Sequence, residues 1–209
     1  MHWIDPASLP ETKGMVDRFL QNPHGEADGM LLTDGTEIHF PPHMSRHVLA
    51  AVKPGAGVAV RGVRPRAANM IAAVSIQVGD AEPIVDQGPP DADAPAKPGH
   101  KAETRELKDI EGVVKMILHG PHGETCGAIL EDSTIVRLPP GEVAAMHGHL
   151  AVGNKLAARG ECMTNAVGAV LTARWVGSSL FALHQVEPAA HPKHSGASHD
   201  EHTKHRPAA

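Results

Sequence analysis

A chain of 209 residues with 41 % hydrophobic residues is long enough for one or two domains with real cores, and its 18 Pro and 21 Gly favour turns over long helices. Three Phe, two Trp and no Tyr leave little with which to stack bases or drug-sized ligands. A formal charge of −5 works against non-specific attraction to phosphate backbones, although 16 His make that total depend strongly on pH.

At the amino end, MHWIDPASLPETKG lacks the basic and apolar regions of a secretory signal. No run of about 18 apolar residues exists for a membrane span. Cys126 and Cys162 make no disulfide framework. The expectation is a cytoplasmic protein without a membrane segment. From residue 12 the pattern is β. Val16, Arg18 and Leu20 alternate with Met15, Asp17 and Phe19 until Asn22-Pro23-His24-Gly25 breaks the run. Residues 30–32 and 36–40 flank Asp34-Gly35, a two-residue hairpin signal. Pro41-Pro42 stops the third strand, because proline cannot donate to a ladder. Residues 43–52 read as a short helix, and 58–63 and 70–78 as two further strands. Residues 80–109, rich in Pro, Ala and Asp and without apolar period, read as a linker.

The second half repeats the first. GMVDRFLQNPHGEADGMLLTDGTEIHFPP, from Gly14, aligns without a gap on GVVKMILHGPHGETCGAILEDSTIVRLPP, from Gly112, and the register runs on to Gly62 and Gly160. Roughly a third of the aligned positions are identical, which makes this a duplication. The second copy should carry its helix at 141–150 and its last strands at 156–162 and 167–176, so that 14–78 superposes on 112–176. Asp132-Ser133 replaces Asp34-Gly35 and is a weaker turn former. SSLFALHQVEP, after Val176, supplies one more edge strand. Residues 189–209 contain no apolar residue larger than alanine and should be disordered.

Strand, strand, strand, short helix, strand, strand within about 65 residues is the pattern of a five-stranded OB-fold barrel. A small SH3-like barrel lacks the helix. The fold expected is therefore all-β: two tandem OB-fold-like five-stranded barrels, at 12–79 and 110–188, each with a short helix between strands three and four. Copy 1 resembles a group of short bacterial proteins described as OB-fold nucleic-acid-binding-like. Phe19-Leu20, Asn22-Pro23-His24-Gly25-Glu26, Asp28-Gly29, Asp34-Gly35-Thr36 and Phe40-Pro41-Pro42-His43 carry the resemblance. Copy 2 departs from it at Cys126, Ser133 and Gly141. The resemblance implies a fold and a generic binding role, and it brings no catalytic residues.

Four constellations are chemically suggestive. His24 with Glu26, and His122 with Glu124, sit in the loop between strands one and two, which contacts ligands in OB-folds. His122, Glu124 and Cys126 at alternate positions of an extended stretch would suit zinc; alternatively the segment is a turn in which Glu caps exposed amides. His39, His43 and His47 recur at steps of four, as metal ligands or as a solvated helix face. Arg61, Arg64 and Arg66, with Arg18, Arg46 and Lys53, form a possible strip against phosphates, or a scattered solvated set. His191, His194, His199, His202 and His205 in the tail suit Zn²⁺ or Ni²⁺.

No P-loop, dinucleotide fingerprint or nucleophile elbow is present. The reading is a non-catalytic tandem OB-fold binding protein, its ligand single-stranded nucleic acid or a protein partner, with no required cofactor. A divalent-metal-handling protein using the tail is the alternative, and a purely structural module the third.

Overall fold

The computed structural model describes residues 5–66, 68–88, 105–139 and 150–186. A single 3-10 turn, Pro6–Ser8, precedes the strands β1 (Glu11–Gln21), β2 (Ala27–Leu32) and β3 (Glu37–His39). A 3-10 turn at Pro42–Met44 leads into α1 (Ser45–Ala51), then β4 (Gly57–Val63), β5 (Met70–Val78) and β6 (Ile84–Val85). The second copy contributes β7 (Glu106–His119), β8 (Thr125–Leu130), β9 (Ile135–Arg137), β10 (Lys155–Asn165), β11 (Gly168–Gly177) and β12 (Leu183–Gln185).

Each copy closes into a five-stranded barrel. In the first the strands run β3-β2-β1-β4-β5, and a parallel pairing of β3 with β5 shuts the ring. In the second, β9-β8-β7-β10-β11 is closed by the parallel pair β9–β11. This is the tandem OB-like architecture expected from the pattern. Pro41 and Pro42 end β3 as expected, with Pro42 opening the 3-10 turn where a missing N–H costs nothing. The helix of copy 1 is present, whereas its expected counterpart at 141–150 falls almost wholly on 140–149, outside the described residues.

β6 lies within the stretch read as a linker, and β7 begins inside it as well. β6 is to β5 what β12, the expected edge strand, is to β11: Ser75 pairs with Val85, and Trp175 with Gln185. Gly35 turns the first hairpin at φ +84°, and Ser133 occupies the same left-handed position at φ +75° without glycine's freedom. Asp34 and Asp132 compensate alike, each accepting the N–H two residues on at 2.9 Å.

Eight positions matched by the duplication are at most 1 % exposed: Val16, Leu20, Leu32 and Ile38, with Val114, Leu118, Leu130 and Val136. They do not all face the same core. Val16 pairs with Leu32 and Arg18 with Leu31, so one extra residue, Asp17, bulges β1. Lys115 does the same in β7, between Val114 and Met116. The bulge reverses the phase of the strand. Phe19 therefore enters the barrel, and Leu20 and Leu118 leave it for an apolar cluster shared between the barrels.

The superposition of 14–78 on 112–176 needs one correction. Gly62 opposes Ala73 in copy 1, and Gly160 opposes Ala173 in copy 2, so the offset grows from 98 to 100 residues between them. Copy 2 thus has a two-residue insertion that Val167 and Val176 had concealed. It turns the loop after β4 into a regular extension of the β10–β11 hairpin, with Asn165 opposite Gly168.

Candidate nucleic-acid interface

The hairpin extension helps dock one barrel on the other. Leu20 and Leu31 of barrel 1 pack with Leu118, Ile129, Ile135, Met163 and Val170 of barrel 2, and Val167 at the hairpin turn packs against the core of barrel 1. Leu20 and Leu118 are equivalent positions, as are Leu31 and Ile129, so the barrels meet about an approximate two-fold axis. OB-folds commonly bind ligands with the face of strands two and three and the loops beside it. Here each barrel covers much of that face on the other.

Polar groups complete the contact. Arg137, on β9, donates to both carboxylate oxygens of Asp28 at 2.9 and 3.2 Å, to the Gln21 carbonyl at 2.8 Å, and to Cys126 Sγ at 2.9 Å. Asp28 and Cys126 are the equivalent extra residues of bulges in β2 and β8, which aim their side chains out of the ladder. Glu37, 1 % exposed, accepts from the backbone N–H of His119 at 3.0 Å and lies 2.7 Å from His119 Nδ1 and 3.3 Å from His39 Nε2. Burial alone would raise the pKa of Glu37, but the hydrogen bonds from His39 and His119 outweigh it and hold the carboxyl below its ordinary value. Burial pushes the Cys126 thiol up, against the opposing pull of Arg137.

The structure also fixes the neighbours of the barrel histidines read as candidate metal ligands. Among the described residues no three His, Cys, Asp or Glu side chains gather into a site that could hold a metal. Cys126 is turned to Arg137, while Glu124 accepts from the backbone N–H of His122 at 3.0 Å, so the turn reading of that loop describes what is seen. In copy 1, Asn22 Oδ1 accepts from the N–H groups of His24 and Glu26, and Asn22 Nδ2 donates to Glu26. His39, His43 and His47 are dispersed as well: His39 faces Glu37, His43 lies 2.9 Å from Asp86, and His47 is exposed.

The six basic residues do not form one strip. Arg18 is bound to Asp17. Arg46 is exposed on α1, and Lys53, just after it, donates to the Leu49 carbonyl at 2.7 Å. Lys53 precedes β4, and Arg64 and Arg66 follow its far end, with about 23 Å for seven extended residues between the ends of that strand. Arg61 is held by Glu11 and by the Leu9 carbonyl. Arg64 reaches only the neutral Asn69 and Thr12, and Arg66 is exposed. Among the described residues no carboxylate lies within salt-bridge distance of Arg64 or Arg66.

Docking brings a residue of the other copy to this loop. A Cβ at Gly123 would stand 3.4 Å from Pro65 Cβ and 3.7 Å from Ala68 Cβ, so the β7–β8 loop abuts the β4–β5 loop. Arg64 and Arg66 flank Pro65, and His122, 90 % exposed, adjoins Gly123. The opposite rim joins the β1–β2 loop to the β10–β11 hairpin through Gln21, Gly25 and Asn165. Its loop segments, 22–26 and 164–168, contain no Lys or Arg. One rim is therefore basic and the other is not. Loop identity and charge were legible in the sequence; the meeting of loops from different copies had no local signal.

No protein-family model matches the chain, and no curated protein does. Among solved structures, wild-type single-stranded DNA binding protein from Thermus aquaticus is 13 % identical, covering 91 % of this chain and 97 % of its own, with a TM-score of 0.24. A deletion mutant of that protein gives 14 %, 88 %, 96 % and 0.24 in the same order. Neither superposes closely enough to place a ligand here.

Proposed function

We propose that this chain is a non-catalytic tandem OB-fold binding protein that contacts single-stranded nucleic acid along its basic rim. The observation that carries this reading is the exposure of Arg64 and Arg66, without a carboxylate in reach among the described residues, beside the loop that carries His122 of the other barrel. Guanidinium groups so placed can contact phosphates. Phe19 and Phe40 are buried in barrel 1, so the rim offers charge in preference to base stacking. Binding should therefore be weak in sequence preference and steep in salt.

Replacing Arg64 and Arg66 together with Ala should weaken binding of a single-stranded oligonucleotide about 10-fold at low salt, and lower the salt slope by about one per lost phosphate contact. Arg159→Ala should leave binding unchanged, since Arg159 is paired with both oxygens of Asp109 at 2.6 Å. No binding by the wild-type chain at low salt would end the nucleic-acid reading.

The tail supports a second activity. His191, His194, His199, His202 and His205 lie outside the described residues, and their spacing suits two or three imidazoles on one Zn²⁺ or Ni²⁺. Removing residues 189–209 should abolish most uptake of either ion in titration and leave the unfolding of the barrels unchanged. Equal uptake by the full and truncated chains would refute the tail as the site.

A further inference from the structure

The docked face carries a pairing code. Its approximate two-fold axis allows each contact to be compared with its mirror. Asp28 meets Arg137, and in the mirrored position Cys126 stands for Asp28 and His39 for Arg137. Glu37 meets His119, and there Ile135 stands for Glu37 and Gln21 for His119.

We propose that this face is selective for the unlike barrel, and that its partner in trans is a second copy of the chain, copy 1 of each docking on copy 2 of the other. Pairing copy 1 with copy 1 would set Asp28 against His39 and Glu37 against Gln21, with no arginine to answer the half-buried Asp28 or the buried Glu37. Pairing copy 2 with copy 2 would bury Arg137 against Cys126, a guanidinium without a carboxylate. A buried charge that loses its partner is strongly destabilising, so both like pairings are disfavoured. Copy 1 would also lose the apolar surface that Ile135 and Met163 provide. Residues 86–105 join Val85 to Glu106, and a tether of that length spans at most about 70 Å. In cis it keeps the barrels at a high effective concentration, so the native chain docks on itself. A mismatch in cis is what exposes the partner in trans.

The test uses full-length chains. Asp28→Arg sets two guanidiniums face to face within one chain, and Arg137→Asp sets two carboxylates face to face. Each variant alone should be monomeric, with parted barrels that bind the dye ANS. The double variant restores the pair within one chain and should be a closed monomer without dye binding. An equimolar mixture of the two single variants, refolded or co-expressed, should give a one-to-one heterodimer by light scattering, silent to ANS, because both trans contacts are then charge-matched. The proposal is overturned if the mixture stays monomeric, or if either single variant forms a homodimer as readily. It is also overturned if the double variant fails to close. Should the single variants be insoluble alone, co-expression still decides: soluble heterodimer supports exchange, and its absence beside a soluble double variant rejects it.

Discussion

Replacing Leu118 with aspartate is expected to part the two barrels and leave each one folded. Leu118 is 0 % exposed, yet it belongs to the cluster between the barrels and to neither barrel core. A carboxylate held in that apolar contact must either stay charged or take up a proton, and either course costs several kcal/mol. Opening the contact hydrates it instead. Leu118→Ala leaves only a void and a lost transfer term, about 3 kcal/mol, with the barrels still docked. Calorimetry should show the wild-type transition splitting in two for the aspartate variant, and moving down as a unit for the alanine variant. Cooperative loss of both barrels in Leu118→Asp would mean that neither stands without the other.

The second large effect should come with acid. Glu37 is hydrogen-bonded across the contact by His119 and along its own strand by His39, with Asp28, Cys126 and Arg137 the other ionisable groups facing this region. Its folded pKa lies below the ordinary 4.5. A group depressed in this way stabilises the folded state above its unfolded pKa, and the contribution disappears as pH falls through the folded value. Glu37→Gln removes that contribution at every pH and should cost about 2 kcal/mol at neutral pH, the scale of a hydrogen bond to a charged group. The stability curves of wild type and variant should stand furthest apart above pH 4.5 and converge on acidification below it. Curves that run parallel through the acid range would contradict this role for Glu37.

The repeat made much of the fold legible. Because each copy carries the same apolar alternation, the same proline stop and the same hairpin position, one reading could be checked against the other, and the eight shared core positions are buried. The bulges at Asp17 and Lys115 were not legible, since one extra residue in a strand leaves its composition unchanged while reversing every side chain beyond it. Hence Leu20 and Leu118, both buried, face the contact between the barrels and not the barrel cores. The two-residue insertion was hidden because apolar β residues lie on both sides of it. The basic strip failed for a different reason: Lys53 is separated from Arg64 and Arg66 by the length of β4, and Arg18 and Arg61 are held by Asp17 and Glu11, none of which a list of residues displays. Asp28 and Arg137 are 109 positions apart, so their pairing follows only from the docking of the barrels.

That docking is the centre of the account, and methyl-to-methyl nuclear Overhauser effects on the full-length chain test it most directly. With leucine, isoleucine and valine methyls labelled, cross-peaks should join Leu20 and Leu31 to the cluster of Leu118, Ile129, Ile135 and Val170. They should weaken in Leu118→Asp while contacts inside each barrel, such as those of Val16 with Leu32, persist. A wild-type spectrum with every within-barrel contact and none between the barrels would show two independent modules, each with its OB face open, and would contradict the shared interface and the composite rim together.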